Sequence, residues 1–111
     1  SISIKNVPVY INQISTKVPE KYSLLQNYPN PFNPNTIIRF QIKDSRFVTI
    51  KIYDIIGREV ATLVNEKLQA GTYEVPFSIY QYTNNQITSG VYFYKLTAGD
   101  FSETKKMVIT K

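Results

Sequence analysis

From Thr36 onward the chain alternates apolar and polar residues with a period of two. Ile38, Phe40 and Ile42 are separated by Arg39 and Gln41, and Val48, Ile50 and Ile52 by Thr49 and Lys51. Successive side chains of an extended strand point to opposite faces, so this spacing buries one face and wets the other. A helix would wind the same residues around its axis and leave no common apolar stripe. The two runs flank Asp44, Ser45 and Arg46 and are expected to form a hairpin with one buried face. Nine Tyr and six Phe with no Trp add to the bias, because these rings suit pleated, half-buried surfaces.

The pattern continues toward the end of the chain. Residues 54–57 (DIIG) read as a turn, with Gly57 supplying a positive φ. Residues 59–64 fit either a strand or a short helical turn. Strand is preferred because neither end carries helix caps. Ala70 and Gly71 turn the chain into residues 73–77, where Pro76 predicts a strand edge or a bulge. A polar turn is expected at Asn84 and Asn85. Ser89 and Gly90 then open residues 91–97 (VYFYKLT), a run expected to be buried on both faces. Gly99 and Asp100 form a tight hairpin signal into residues 101–110. Six or seven short strands with turns every eight to twelve residues predict an all-β, Ig-like antiparallel β-sandwich of about seven strands. "Ig-like" is architectural here, since the Cys and Trp hallmarks are missing.

The first fifth of the chain differs in composition. Residues 7–11 (VPVYI) could form a short edge strand, and residues 16–21 (TKVPEK) read as a linker. The expected division is therefore 1–21 as linker or end of an upstream region, and 22–111 as one domain. Between Tyr22 and Asn35 lie Pro29, Pro31 and Pro34 interleaved with Asn, which forbids helix and removes ladder donors. This segment is expected to be a stiff turned loop with Phe32 anchored in the core.

Several chemistries lack their residues. With no Cys and no His, the chain has no disulfide framework, no thiolate and no imidazole base or ligand. The four glycines are too scattered for a phosphate-cradling loop, and no Asp-rich calcium loop is present. The eight acids stand singly. The expectation is a non-enzyme with no catalytic residues, no cofactor and no metal. A net charge of +5 is spread along the chain rather than gathered in a stripe, which argues against nucleic acid as a partner. No apolar run approaches the roughly 20 residues that span a bilayer, so the chain is not expected to be membrane-spanning.

Residues 26–36 (QNYPNPFNPNT) resemble the opening of the C-terminal sorting domains of type IX secretion cargo, the Por secretion tail family, type A, of Bacteroidetes and related phyla. Further blocks follow in that family's order: 52–60 (IYDIIGREV), 61–64 (ATLV), 70–73 (AGTY), 89–94 (SGVYFY), 98–100 (AGD) and 106–111 (KMVITK). Residues 77–80 and the stretch from Tyr80 to Asn85 depart from the family's pattern.

The resemblance implies a sorting signal that directs an upstream cargo domain, joined in cis, through the periplasm and across the outer membrane. The implied partners are the translocon and sortase of the type IX system, with the domain removed and the cargo attached to the surface or released. By the same resemblance Pro29, Asn30, Pro31 and Phe32 shape the opening loop, Gly57, Gly71 and Gly90 set turns, and Ser89, Val91 and Tyr92 belong to the most distinctive block. Lys106, Met107, Val108, Ile109, Thr110 and Lys111 are the candidates for recognition. A terminal strand can offer its edge for strand addition, with Lys106 and Lys111 adding charge there. The alternative readings are a carbohydrate-binding module using Tyr80, Tyr82 or Tyr92, and a purely structural β-sandwich module of a secreted protein.

Overall fold

The computed structural model describes residues 11–80 and 87–110. Eight strands follow one another: β1 (Asn12–Ser15), β2 (Ser23–Leu24), β3 (Asn35–Ile42), β4 (Arg46–Tyr53), β5 (Glu59–Leu68), β6 (Gly71–Ser78), β7 (Gly90–Ala98) and β8 (Phe101–Ile109). They form two four-stranded sheets, ordered β1-β6-β3-β2 and β5-β4-β7-β8. All pairings between named strands are antiparallel. The period-two positions of both sheets meet in one apolar core. Ile38, Phe40 and Ile42 of β3 join Val48, Ile50 and Ile52 of β4, Val75 and Phe77 of β6, Tyr94 and Leu96 of β7, and Met107 and Ile109 of β8. The fold class is thus all-β as expected, with eight described strands rather than about seven. The expected strand over residues 59–64 is present within β5.

Two expectations about the strands require correction. The runs in β3 and β4 do not form a hairpin with each other. Strand β3 pairs with β6 and β2, whereas β4 pairs with β5 and β7 in the other sheet. The three-residue link between them carries the chain from one sheet to the other. Alternation specifies which side chains face the core, and facing strands of two sheets satisfy it as well as paired neighbours do. Side chains brace this crossing: the Tyr22 hydroxyl donates to Asp44, Ser45 donates to Gln69 at 2.7 Å, and Tyr22 stacks on Phe101 at 5.3 Å between centroids.

The second correction concerns β7, which is buried fully on one face only. Tyr92, Tyr94 and Leu96 point into the core, while Val91, Phe93, Lys95 and Thr97 are half-buried on the outer face. As an inner strand of its sheet, β7 has its outward side chains flanked by those of β4 and β8.

Pro76 lies in β6, an inner strand by sheet order. The described part of β1, however, pairs only with Thr72, Tyr73 and Glu74. Pro76 therefore faces no described strand on that side, in keeping with its missing donor. Gly71 opens β6 opposite Ile42, and a Cβ there would sit 2.7 Å from the Ser15 carbonyl oxygen. This close approach, beside a turn, explains the glycine. The expected polar turn at Asn84 and Asn85 lies outside the described residues. So do Tyr82, Lys111 and most of the expected strand at residues 7–11. Among the described residues no helix is long and apolar enough to cross a membrane.

Candidate functional site

The proline-rich loop between β2 and β3 runs along the outer edge of β8. Its path follows from what the prolines remove and the asparagines supply. All three X-Pro bonds at Pro29, Pro31 and Pro34 are cis. The remaining polar groups are satisfied by side chains rather than by a ladder. Asn27, almost fully buried, donates through Nδ2 to Thr36 Oγ1 at 3.0 Å and to the Pro29 carbonyl at 3.2 Å. Buried Thr36 donates to the same carbonyl at 2.8 Å. The Tyr28 amide and carbonyl bridge Ile37, tying the loop to β3.

Tyr94 closes this knot from the opposite sheet. Its side chain is fully buried, and its hydroxyl accepts the Asn27 amide and donates to the Leu25 carbonyl, both at 2.7 Å. Burial pushes the phenol up to about 12, partly offset by the Asn27 amide and reinforced by the charge of Glu103. It therefore stays protonated as the donor that the Leu25 carbonyl requires. A buried amide left without this partner would cost about 1–3 kcal/mol.

The loop then takes up the backbone of β8. Gln26 Nε2 donates to the Lys106 carbonyl at 2.7 Å, and Asn30 Oδ1 accepts the Val108 amide at 2.9 Å. The Phe32 amide donates to the Val108 carbonyl at 3.1 Å, and the Thr110 amide donates to the Phe32 carbonyl at 3.0 Å. Phe32 and Ile109 form a parallel bridge. The Phe32 ring is anchored in the core, as expected, and meets Phe77 edge to face at 6.0 Å.

The terminal strand is therefore an edge strand by sheet order, yet its edge is not open over this stretch. The outward backbone groups of Val108, the Lys106 carbonyl and the Thr110 amide are already engaged. This corrects, as far as Thr110, the expectation that the segment from Lys106 to Lys111 offers its edge for strand addition; Lys111 lies outside the described residues. The cause is tertiary: the loop lacks its own ladder, and an unpaired strand edge lies beside it. Side chains of the segment divide by face. Met107 and Ile109 are core, whereas Lys106 is exposed and Val108 half-exposed on the outside of the sheet.

The other motif positions sit elsewhere. Gly57, with φ 97°, completes a turn whose carboxylate, Asp54, accepts the amides of Ile56 and Arg58 at 3.0 and 2.9 Å and pairs with the Arg58 guanidinium at 2.8 Å. The Arg58 amide is the leading cause that holds this carboxyl below its ordinary range. Gly90 begins β7 opposite Ile109, so it opens a strand rather than a turn. Tyr92 exchanges hydrogen bonds with the Thr88 backbone, donating to its carbonyl at 3.0 Å and accepting its amide at 3.1 Å. It is buried, which removes it as a sugar platform. Tyr80 is 71% exposed. Among the described residues no group of His, Cys, Asp and Glu is placed to hold a metal ion.

Both ends of one pattern thus meet in one construction. Residues 26–110 match the family described as secretion system C-terminal sorting domain. The chain belongs to this family. No curated protein matches it. Among solved structures, this chain is similar to part of PorZ of Porphyromonas gingivalis, an essential bacterial surface component of the type IX secretion system. There the identity is 21%, the TM-score 0.54, and the match covers 78% of this chain and 11% of that one. It is also similar to part of dimeric latent PorU from the same organism, at 17% identity and TM-score 0.63, covering 98% of this chain and 10% of that one. The chain spans about a tenth of each, and at these identities the likeness concerns the fold.

Asn30 and Phe32 are legible in the sequence, but the roles of Gln26, Asn27, Thr36 and Tyr94 in organising the loop are not. A hint was available. Two amide side chains directly before a proline-rich stretch are well suited to satisfy its stranded carbonyls and a neighbouring edge.

Proposed function

We propose that this domain is an address rather than a catalyst: it directs a cargo joined in cis, through the periplasm, to the outer-membrane machinery of type IX secretion. The observation that carries the reading is the family match over residues 26–110, whose first and last blocks are bonded to each other at Phe32, Val108 and Thr110. On this reading the fold is an Ig-like sandwich and the translocon grasps its folded outer surface. A surface sortase removes the domain, and the cargo ends on the cell surface or in the medium. The domain supplies no cofactor, metal or catalytic group.

Recognition at the terminal segment falls on its outward side chains, Lys106 and Val108, together with the loop that covers its edge. Lys111 lies outside the described residues. The test is a reporter fused ahead of Ser1 in a host that has type IX secretion. The reporter is expected outside the cell with the domain and in the periplasm without it. Equal export of both forms would overturn the proposal.

A further inference from the structure

The outer face of the β5-β4-β7-β8 sheet places like charges side by side. Lys51 of β4 lies directly opposite Lys95 of β7, and one row along, Phe93 lies between Tyr53 of β4 and Lys106 of β8. Directly opposed side chains have Cβ atoms about 5 Å apart, and diagonal ones about 7–8 Å. Lys106 is therefore the diagonal neighbour of Lys95, which itself faces Thr104. Three ammonium groups thus share one small pleated area.

Lys51 has a counter-charge, Glu59, at 3.3 Å. Lys95 and Lys106 have no ion pair among the described residues. Like charges placed directly opposite destabilise a sheet, so folding alone gives no reason for this arrangement. Tyr53, Phe93, Val91 and Val108 lie among and beside the lysines as a half-buried apolar strip, with Val91 opposite Val108.

We propose that this face docks an acidic protein surface of the export machinery, with the Tyr53–Phe93 and Val91–Val108 pairs as the apolar part of the contact and Lys51, Lys95 and Lys106 along one side of it. The inference rests on the sorting role and names the surface and the chemistry of the partner that reads it. An apolar patch beside charge matches the anatomy of a protein interface, and complementary charge speeds encounter and excludes wrong partners. A second copy of the chain does not fit, because a symmetric contact would set this cationic face against itself. An anionic glycan fits less well. The two rings are half-buried within their rows, whereas stacking on sugars needs open ring faces. The segment that the family places last, residues 106–110, contributes Lys106 and Val108 to this face, so its outward side chains are read together with β4 and β7.

The first test measures cost. Lys95→Gln should raise the melting temperature at low salt, and the gain should vanish in about 1 M salt, where the Debye length is roughly 3 Å. A lower melting temperature would remove the premise. The second test is a nuclear magnetic resonance titration of the 111-residue chain with poly-L-glutamate, and separately with a hyaluronate oligosaccharide of equal carboxylate count. Shifts concentrated at Lys51, Phe93, Lys95 and Lys106 and stronger with the polypeptide support the proposal. Diffuse shifts, or a preference for the glycan, overturn it.

The third test uses the export reporter. Joint Lys51→Gln, Lys95→Gln and Lys106→Gln should cut export about tenfold or more. Joint Lys17→Gln, Lys21→Gln and Lys43→Gln, which remove as much charge elsewhere, should not. Equal loss in both sets, or loss in neither, sinks the docking face. Export that ignores deletion of the whole domain would instead sink the sorting role, which keeps the two failures distinct.

Discussion

The outer faces of the two sheets handle charge in opposite ways. On the β1-β6-β3-β2 sheet Arg39 lies opposite Glu74, and the two form an ion pair. Around them are Gln41 opposite Thr72, Asn35 opposite Ser78, and Ile37 opposite Pro76. That face is electrically balanced by its own cross-strand partners. On the β5-β4-β7-β8 sheet the corresponding central pair is Lys51 opposite Lys95, with Lys106 diagonal to it. One sheet sets opposite charges across its strands, whereas the other sets like charges side by side and pairs only Lys51 of the three, with Glu59. Both sheets share one core, so the difference owes nothing to burial. It lies wholly in the outward half of the alternation.

The loop over β8 joins the two sheets, and weakening it should show how far each depends on the other. Phe32→Ala empties a core site and loosens the segment whose backbone bonds Val108 and Thr110. A loss of about 3–5 kcal/mol is expected in denaturant unfolding, with faster amide exchange at residues 108–110. If exchange there were unchanged, the terminal strand would not depend on the loop.

Tyr94→Phe is the next largest, at about 1–3 kcal/mol, because the Asn27 amide and Leu25 carbonyl lose their partner. Its pH dependence carries a sign. Below about pH 10 the phenol is protonated in both folded and unfolded chains, and the stabilisation is complete. Above that, the unfolded chain ionises first, so stability falls until the folded group titrates near 12. The advantage of the parent over Tyr94→Phe should therefore shrink between pH 10 and 12. A constant gap would remove the buried-phenol account.

The smallest effect separates the faces most directly. Arg39→Gln should destabilise by about 0.2–1 kcal/mol, since it breaks an exposed pair across β3 and β6. Lys95→Gln should move the other way by a similar amount. Thermal melts at low salt would check both, and equal signs would erase the contrast between the sheets.

Much of the architecture could be read locally. Alternation at Ile38, Phe40 and Ile42 and at Val48, Ile50 and Ile52 named the core-facing residues correctly. The Gly99–Asp100 signal located the β7–β8 hairpin, and Phe32 was recognisable as the only large apolar side chain in the middle of a proline-rich loop. What alternation could not carry was partner choice. A period of two states that a residue faces inward, without saying whether the next run lies beside it or across the core, so alternation alone fits β3 and β4 as one hairpin equally well.

The sequence by itself determined an all-β chain, its inward-facing residues, its turns and its family blocks, because strand periodicity and turn chemistry act over a few residues. Only tertiary structure decided that Gln26, Asn30 and Phe32 would occupy the edge of β8, that the Tyr94 hydroxyl would hold Leu25 and Asn27 from the opposite sheet, and that Lys51, Lys95 and Lys106 would gather on one face. The partners in these contacts lie dozens of residues apart in the chain, and their proximity is set by strand order and register, which arise only when the two sheets close on a common core.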